Sequence, residues 1–325
     1  MITENIAQKI LFAPLNINEA DTLCIVCGYG TPSMVSWYMK TLEEMKSPPV
    51  SIKLILGMTS YDGLSSTVHD GFRQLHGKGY GDNVINFSCS YVCETPPVGS
   101  NVYIWLKKDN PICAFLGSAD FLQRCFCSGI KELMAECNPD EALRYFEEIE
   151  KYTIYCNCQD VEESIILKQA HSILDSDNKP LTSLEGEGIV AQRLELLTKR
   201  GDVGKRSGLN WGQRDKRNRN EAYIPLCRTI AKTDFFPKEK QHFMARTDDG
   251  KCLLLRVEQQ NDKAITTPLS NALLGEYFRS RLGLSNGEYI TKEHLLNYGR
   301  TDVTFYKIDD EQYFMDFSPH KSEMI

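Results

Sequence analysis

The chain has 325 residues, 42% hydrophobic and 25% charged, which describes a globular protein of two ordinary domains and excludes a disordered or fibrous chain. Its net charge of −7 is uneven: residues 1–175 carry −9 and residues 176–325 carry +2, with six basic side chains and one acid between positions 205 and 219, so a broad basic nucleic-acid coat is excluded and a confined basic contact surface is not. No apolar run reaches eighteen residues, no basic-then-apolar leader opens the chain, and the twelve cysteines sit on apolar segments, so the expectation is a cytoplasmic protein with reduced thiols and no membrane span.

In chain order, residues 21–30 (DTLCIVCGYG) read as a buried strand ending in a glycine loop. Met34, Val35, Trp37, Tyr38, Leu42 and Met45 recur at helical spacing, residues 51–58 form a second apolar strand, and 62–75 an amphipathic helix. After a short strand at 84–87 comes VYIWLKKDNPICAFLGSAD, residues 102–120. Its apolar runs 102–106 and 112–116 read as a hairpin around Asp109-Asn110-Pro111. The loop Gly117-Ser118-Ala119-Asp120 is either an ordinary turn or a place where backbone N–H groups and a hydroxyl meet an anion. Asn138 before Pro139 opens a helix to Glu150, a strand follows at 152–155, and a helix at 161–174. This alternation predicts an α/β fold with a largely parallel sheet.

Residues 175–179 (DSDNK) read as a linker and 181–200 as a connecting helix. Beyond 204 the texture changes to short strands at 241–245, 252–258, 301–308 and 311–317, interrupted by one helix at 271–282, which suggests a barrel or sandwich. The expected division is 1–175, a linker at 176–204, and 205–325. Within the polar loop of the second half, Trp211, Gln213, Arg214, Lys216, Arg217 and Arg219 are either a solvated basic loop or a DNA-reading one, since Arg pairs with guanine and Gln with adenine while Lys meets phosphate. Arg300 and Asp302 form a second candidate pair, in which Arg300 reads guanine and Asp302 accepts from cytosine or braces Arg300. Lys263, Arg279 and Arg281 are candidate phosphate contacts. His69 and His76, seven residues apart, are surface or core-edge histidines or a spare nucleophile. No cysteine pair has the spacing of a zinc ribbon.

The segment 99–120 resembles the phosphodiesterase motif of the phospholipase D superfamily, His-x-Lys followed by a hairpin and Gly-Ser-x-Asn, in the version of NgoFVII-type restriction endonucleases. The His position holds Gly99, the Lys position Asn101, the family Asp position Leu106 and the closing Asn position Asp120. The hairpin is four residues longer than the common one, an even number that preserves which face each side chain occupies. Ser118 remains, and Glu132 matches a family acid that orients the nucleophilic His. The second half resembles the C-terminal part of the same endonucleases through SGLNWGQRDKRNRNEAYIPL (207–226), DFFP (234–237), KAITTPLSNALLGEYFRSRLGL (263–284) and NYGRTDV (297–303). That part is similar to the DNA-binding pseudobarrel of plant B-three-type transcription factors.

The resemblance implies a phospholipase D-like α/β domain joined to an all-β, B-three-like pseudobarrel with an inserted helix. It implies sequence-specific cleavage of double-stranded DNA by a His nucleophile at the axis of a homodimer, with no metal or other cofactor. A helicase-like ATPase partner, which would bring ATP, is also implied. With Gly99, Asn101 and Asp120 in place the site is expected to be impaired, by engineered loss of the His or by drift towards a DNA-binding subunit without catalysis.

Overall fold

Two apolar runs with strand periodicity, β1 (Thr22–Cys27) and β2 (Val50–Leu56), lie side by side and parallel, from Thr22 opposite Ser51 to Cys27 opposite Leu56. Between them α1 (Pro32–Glu44) crosses over; its first turn is capped by Thr31, whose hydroxyl accepts the Met34 N–H at 3.2 Å. Helix α2 (Ser66–Leu75) leads to β3 (Val84–Val92), parallel to β2. The computed structural model describes residues 1–17, 19–94, 96–168, 190–258 and 263–320. The chain divides into two units, 1–169 and 170–325.

On the other edge of β1 the sheet turns antiparallel, through β4 (Asn101–Lys107), β5 (Asn110–Gly117) and β6 (Met134–Cys137). The sheet is therefore mixed, with three parallel strands, where alternation alone predicted a largely parallel one. The hairpin turns at Lys108 and Asp109, both in the left-handed region with φ of 49° and 64°, as a two-residue turn requires. Pro111 lies inside β5 at a register shift opposite Leu106, where its missing N–H costs no ladder bond. Helix α3 (Pro139–Glu150) begins where expected, with Asn138 Oδ1 accepting the Glu141 N–H at 3.0 Å. It buries Ala142 and Phe146 against Val26, Ile55, Val102 and Ile104. The opposite sheet face carries Tyr103 and Trp105, whose polar tips donate to the carbonyls of Ala119 and Ile10.

The helix expected at 161–174 is a single turn, Val161–Ser164, followed by a short strand, Leu167–Lys168, paired with Leu64–Ser65. Residues 169–174, and 176–189 of the expected linker, lie outside the described residues. The remainder corrects the expectation of a connecting helix: Ala191–Glu195 is a strand, β7, at the edge of the second unit's sheet. Its side chains alternate, with 191, 193 and 195 exposed and Leu194 buried.

The second unit is a seven-stranded sheet made of β7, β8 (Ile224–Pro225), β9 (His242–Thr247), β10 (Cys252–Glu258), β11 (Ala264–Thr266), β12 (Asp302–Lys307) and β13 (Gln312–Asp316). The spatial order is β7-β12-β13-β9-β10-β11-β8, all antiparallel except β13 with β9. The sheet curls into a nearly closed barrel around Leu209, Phe236, Phe243, Leu255, Phe278, Phe305 and Tyr313. The inserted helix α4 (Ala272–Arg281) is present. A second helix, α5 (Lys292–Tyr298), was not expected; it is capped by Thr291 with His294 and ended by Gly299 at φ 90°. Only Leu295 of α5 is buried, too little for a periodic signal. Among the described residues no helix is long and apolar enough to cross a membrane.

Candidate functional site

The C-terminal ends of β1 and β2 are finished by glycines, and the chain entering β4 lies against them. Val98 donates its N–H to Gly57 O at 3.0 Å, and a Cβ on Gly57 would stand 1.9 Å from Val98 O, so only glycine allows the approach. A Cβ on Gly28 would stand 3.4 Å from Asp120 Oδ1 and 3.6 Å from Gly99 Cα. These approaches bring position 99 and Asp120 to one place. A Cβ on residue 99 would meet only Met58 Sδ, at 3.9 Å, so the position opens into free space.

Asn101 is buried and occupied at both ends of its amide: Oδ1 accepts the Gly28 N–H at 3.2 Å and Nδ2 donates to Ser118 O at 3.0 Å. The Ser118 hydroxyl accepts the Leu133 N–H at 2.9 Å and donates to Glu132. Asp120 Oδ1 accepts the Tyr29 N–H at 2.9 Å. Burial raises the Asp120 pKa above the usual carboxylate range, against the Tyr29 bond, which lowers it. The neighbouring Cys125 thiol is pushed up to about 12, by burial first and then by its bond to Glu132. The five positions taken from the motif, Gly99, Asn101, Ser118, Asp120 and Glu132, thus belong to one loop cluster. The cluster offers an amide, a hydroxyl and two carboxyl groups, while position 99 supplies no nucleophile and position 101 no cation.

The histidines are used elsewhere. His69 is buried with Nδ1 3.1 Å from the Tyr91 hydroxyl, and burial lowers its pKa. His76 Nδ1 accepts the Cys89 N–H at 3.1 Å. Among the described residues no group of three or more His, Cys, Asp or Glu side chains converges as metal ligands would.

In the second unit, residues 208–221 form a tight clasp. Gly208–Gln213 is a 3-10 segment, and Gly212 donates its N–H to Glu221 O at 2.7 Å. A Cβ on Gly212 would stand 2.2 Å from Asn218 O, so the two limbs touch backbone to backbone. The Arg217 guanidinium lies 4.0 Å from the Trp211 ring centroid and pairs with Glu221. Gln213 Oε1 accepts from Arg219 Nη1 at 2.8 Å, while its Nε2 donates to Gly287 O at 3.0 Å. Arg214 Nε donates to Arg206 O at 2.8 Å. Arg214, Lys216 and Arg219 are exposed, as is Lys263 at the foot of β11.

Four candidates from the sequence are placed differently. Arg279 is fully buried and donates to the carbonyls of Glu288, Gly275 and Leu209; burial lowers its pKa. It braces the core and is out of reach of a phosphate. Arg281 forms a two-pronged pair with Asp248 at 2.8 and 2.6 Å. Burial opposes its charge, but Asp248 more than offsets that and holds its pKa above the ordinary value. Arg300 is buried, bonded to Asp302 at 3.1 Å, Asp316 at 2.6 Å and Thr304 at 2.8 Å. Asp302 also pairs with Arg193 at 2.5 Å. Of the two roles open to Asp302, the structure has the brace, and Arg300 is spent inside the network. The brace from Gly287 was missed, because a partner 74 residues away leaves no trace in local spacing, whereas Glu221, four residues after Arg217, stood at a spacing the sequence does show.

Residues 4–163 match the NgoFVII restriction endonuclease N-terminal PLD domain, and residues 184–309 match the NgoFVII C-terminal B3-like DNA-binding domain. Among solved structures, NucT from Helicobacter pylori is similar over 48% of this chain and 96% of its own, at 14% identity and a TM-score of 0.33. A polyphosphate kinase from Porphyromonas gingivalis is similar over 56% of this chain and 24% of its own, at 13% identity and a TM-score of 0.30. No curated protein matches.

Proposed function

The chain belongs to the NgoFVII restriction endonuclease family, and on that premise we propose that its barrel reads a specific sequence in double-stranded DNA while its N-terminal domain is the place of phosphodiester cleavage, disarmed by Gly99. The observation that carries this reading is the open position 99, which lies beside Gly28 as Asp120 does and has room for a side chain. In the family chemistry a His there attacks phosphorus without a metal, and a second His protonates the leaving oxygen. Gly99 can do neither. Removing a single transition-state group costs about 100- to 1,000-fold in rate, so loss of the nucleophile leaves binding without turnover. In the family arrangement the second His comes from a second copy of the chain, and since that copy also carries Gly99 here, both are missing together and Gly99→His restores both. Leu116, Ile130 and Leu133, all about half exposed beside the Ser118 loop, give such a partner an apolar surface to cover.

A second reading, a DNA-binding subunit that never cleaves, is favoured by the way Asn101 and Asp120 are tied to backbone groups. The test compares the unmodified chain with Gly99→His on the duplex it binds best. Cleavage by the variant alone, surviving EDTA, supports the first reading. Tight specific binding with no cleavage by either supports the second. Absence of any sequence preference defeats both.

A further inference from the structure

Eight polar or charged side chains of the 208–221 clasp, residues 213–219 and Glu221, are not buried, and two of its arginines are bonded in contrasting ways. Arg217 is neutralised by Glu221 and held flat on Trp211. Arg219 is exposed and has no carboxylate partner among the described residues. Its single side-chain bond, from Nη1 to Gln213 Oε1 at 2.8 Å, leaves the rest of the guanidinium free.

Gln213 itself cannot turn. Its amide nitrogen donates to Gly287 O at 3.0 Å and approaches Arg219 O at 3.5 Å, which fixes its oxygen towards Arg219. The Gly287 loop is in turn fixed by its N–H bond to Asn220 Oδ1 at 2.6 Å. Gly287 has φ +78°, and a Cβ there would stand 2.9 Å from Arg219 Cβ, so the loop packs directly against the stem of the same arginine. A phosphate needs only charge nearby. A brace that fixes the direction of a fork suits a ligand with two acceptors in a set geometry, as guanine O6 and N7 present in the major groove.

We infer that Arg219 reads a guanine and that Gln213, instead of reading adenine, is the positioning residue that aims it. The inference rests on the proposed recognition of double-stranded DNA by the barrel and assigns its specificity to one aimed side chain.

The experiment selects duplexes from a randomised pool with the full chain, then measures affinity for the selected site and for single-base changes over a salt series. For the unmodified chain one guanine is expected to be worth about 5- to 150-fold. Arg219→Lys keeps the charge and loses the fork; it is expected to abolish that preference while the salt slope stays unchanged. Gln213→Met is expected to weaken the preference at the same base pair only, with overall affinity for random duplex retained. Combined with Arg219→Lys it should add nothing further. A merely structural role for Gln213 would lower the unfolding temperature and blunt every position alike, which overturns the inference. It is also overturned if Arg219→Ala weakens all sequences equally and lowers the salt slope by about one, the signature of a phosphate contact. If the unmodified chain shows no base preference at all, the recognition reading falls, and this inference with it.

Discussion

Asp120 occupies the closing position of the motif, and its burial has a consequence at the level of one titration. Its pKa in the folded protein is raised by desolvation, so the native state holds the proton more tightly than the unfolded chain does. Stability therefore falls as pH rises from the ordinary Asp value of about 3.9 through the raised one, and the penalty is complete above it. Asp120→Asn keeps an oxygen for the Tyr29 N–H and removes that penalty. Its melting temperature should exceed that of the unmodified chain at pH 7, with the difference vanishing below about pH 4. Equal melting temperatures across the range would count against a buried charge at this position. Arg279 makes the contrasting case, a charge bonded on three sides inside the barrel. Arg279→Met strips the donor from the carbonyls of Glu288 and Leu209 and should cost about 1–3 kcal/mol in denaturant unfolding. The folded fraction should bind DNA with an unchanged salt slope; a loss of slope would return Arg279 to the DNA surface.

Elements were legible in the sequence where several local signals agreed. The helix at Pro139–Glu150 had a cap and a proline at its first position, and it appears at those bounds. Asn138→Ala removes the bond to the Glu141 N–H and should cost about 1 kcal/mol of stability. The hairpin was legible as a pair of strands, but its turn was not. Asn110 and Pro111 drew the expected turn to 109–111, whereas the chain turns at Lys108 and Asp109, and a lysine rarely signals the left-handed conformation it takes there. Strand β7 was hidden in a charged segment with one apolar residue, Leu194, facing the core. Gly117 fixes the far end of the hairpin: a Cβ there would stand 2.1 Å from Leu133 O, a backbone atom that cannot step aside. Gly117→Ala should therefore destabilise the first unit by about 1–3 kcal/mol, read by chemical denaturation, and a neutral result would mean that the β5–β6 edge is looser than its register implies.

For the whole molecule, the frame of the N-terminal site came from motif alignment, and the structure gathers those residues. The partition of the basic residues was not legible, because burial separates Arg279 and Arg300, and a half-buried pair with Asp248 separates Arg281, from the exposed Arg214, Lys216 and Arg219, and spacing along the chain carries no information about it. A molecule of net charge −7 that binds DNA through so small a cationic surface should show a shallow but measurable salt dependence, with a slope of about −0.9 for each of the few phosphates neutralised. A salt-independent affinity would exclude the clasp as the contact. The pairing of Trp211 with Arg217 also makes the protein its own reporter. Of the three tryptophans, Trp105 is fully enclosed in the first unit and Trp37 is half-buried on α1, so in a Trp37→Phe chain any shift in intrinsic emission on adding an unlabelled duplex would arise at the indole beneath that guanidinium. Complex formation could then be followed in a stopped-flow cell without attaching a dye.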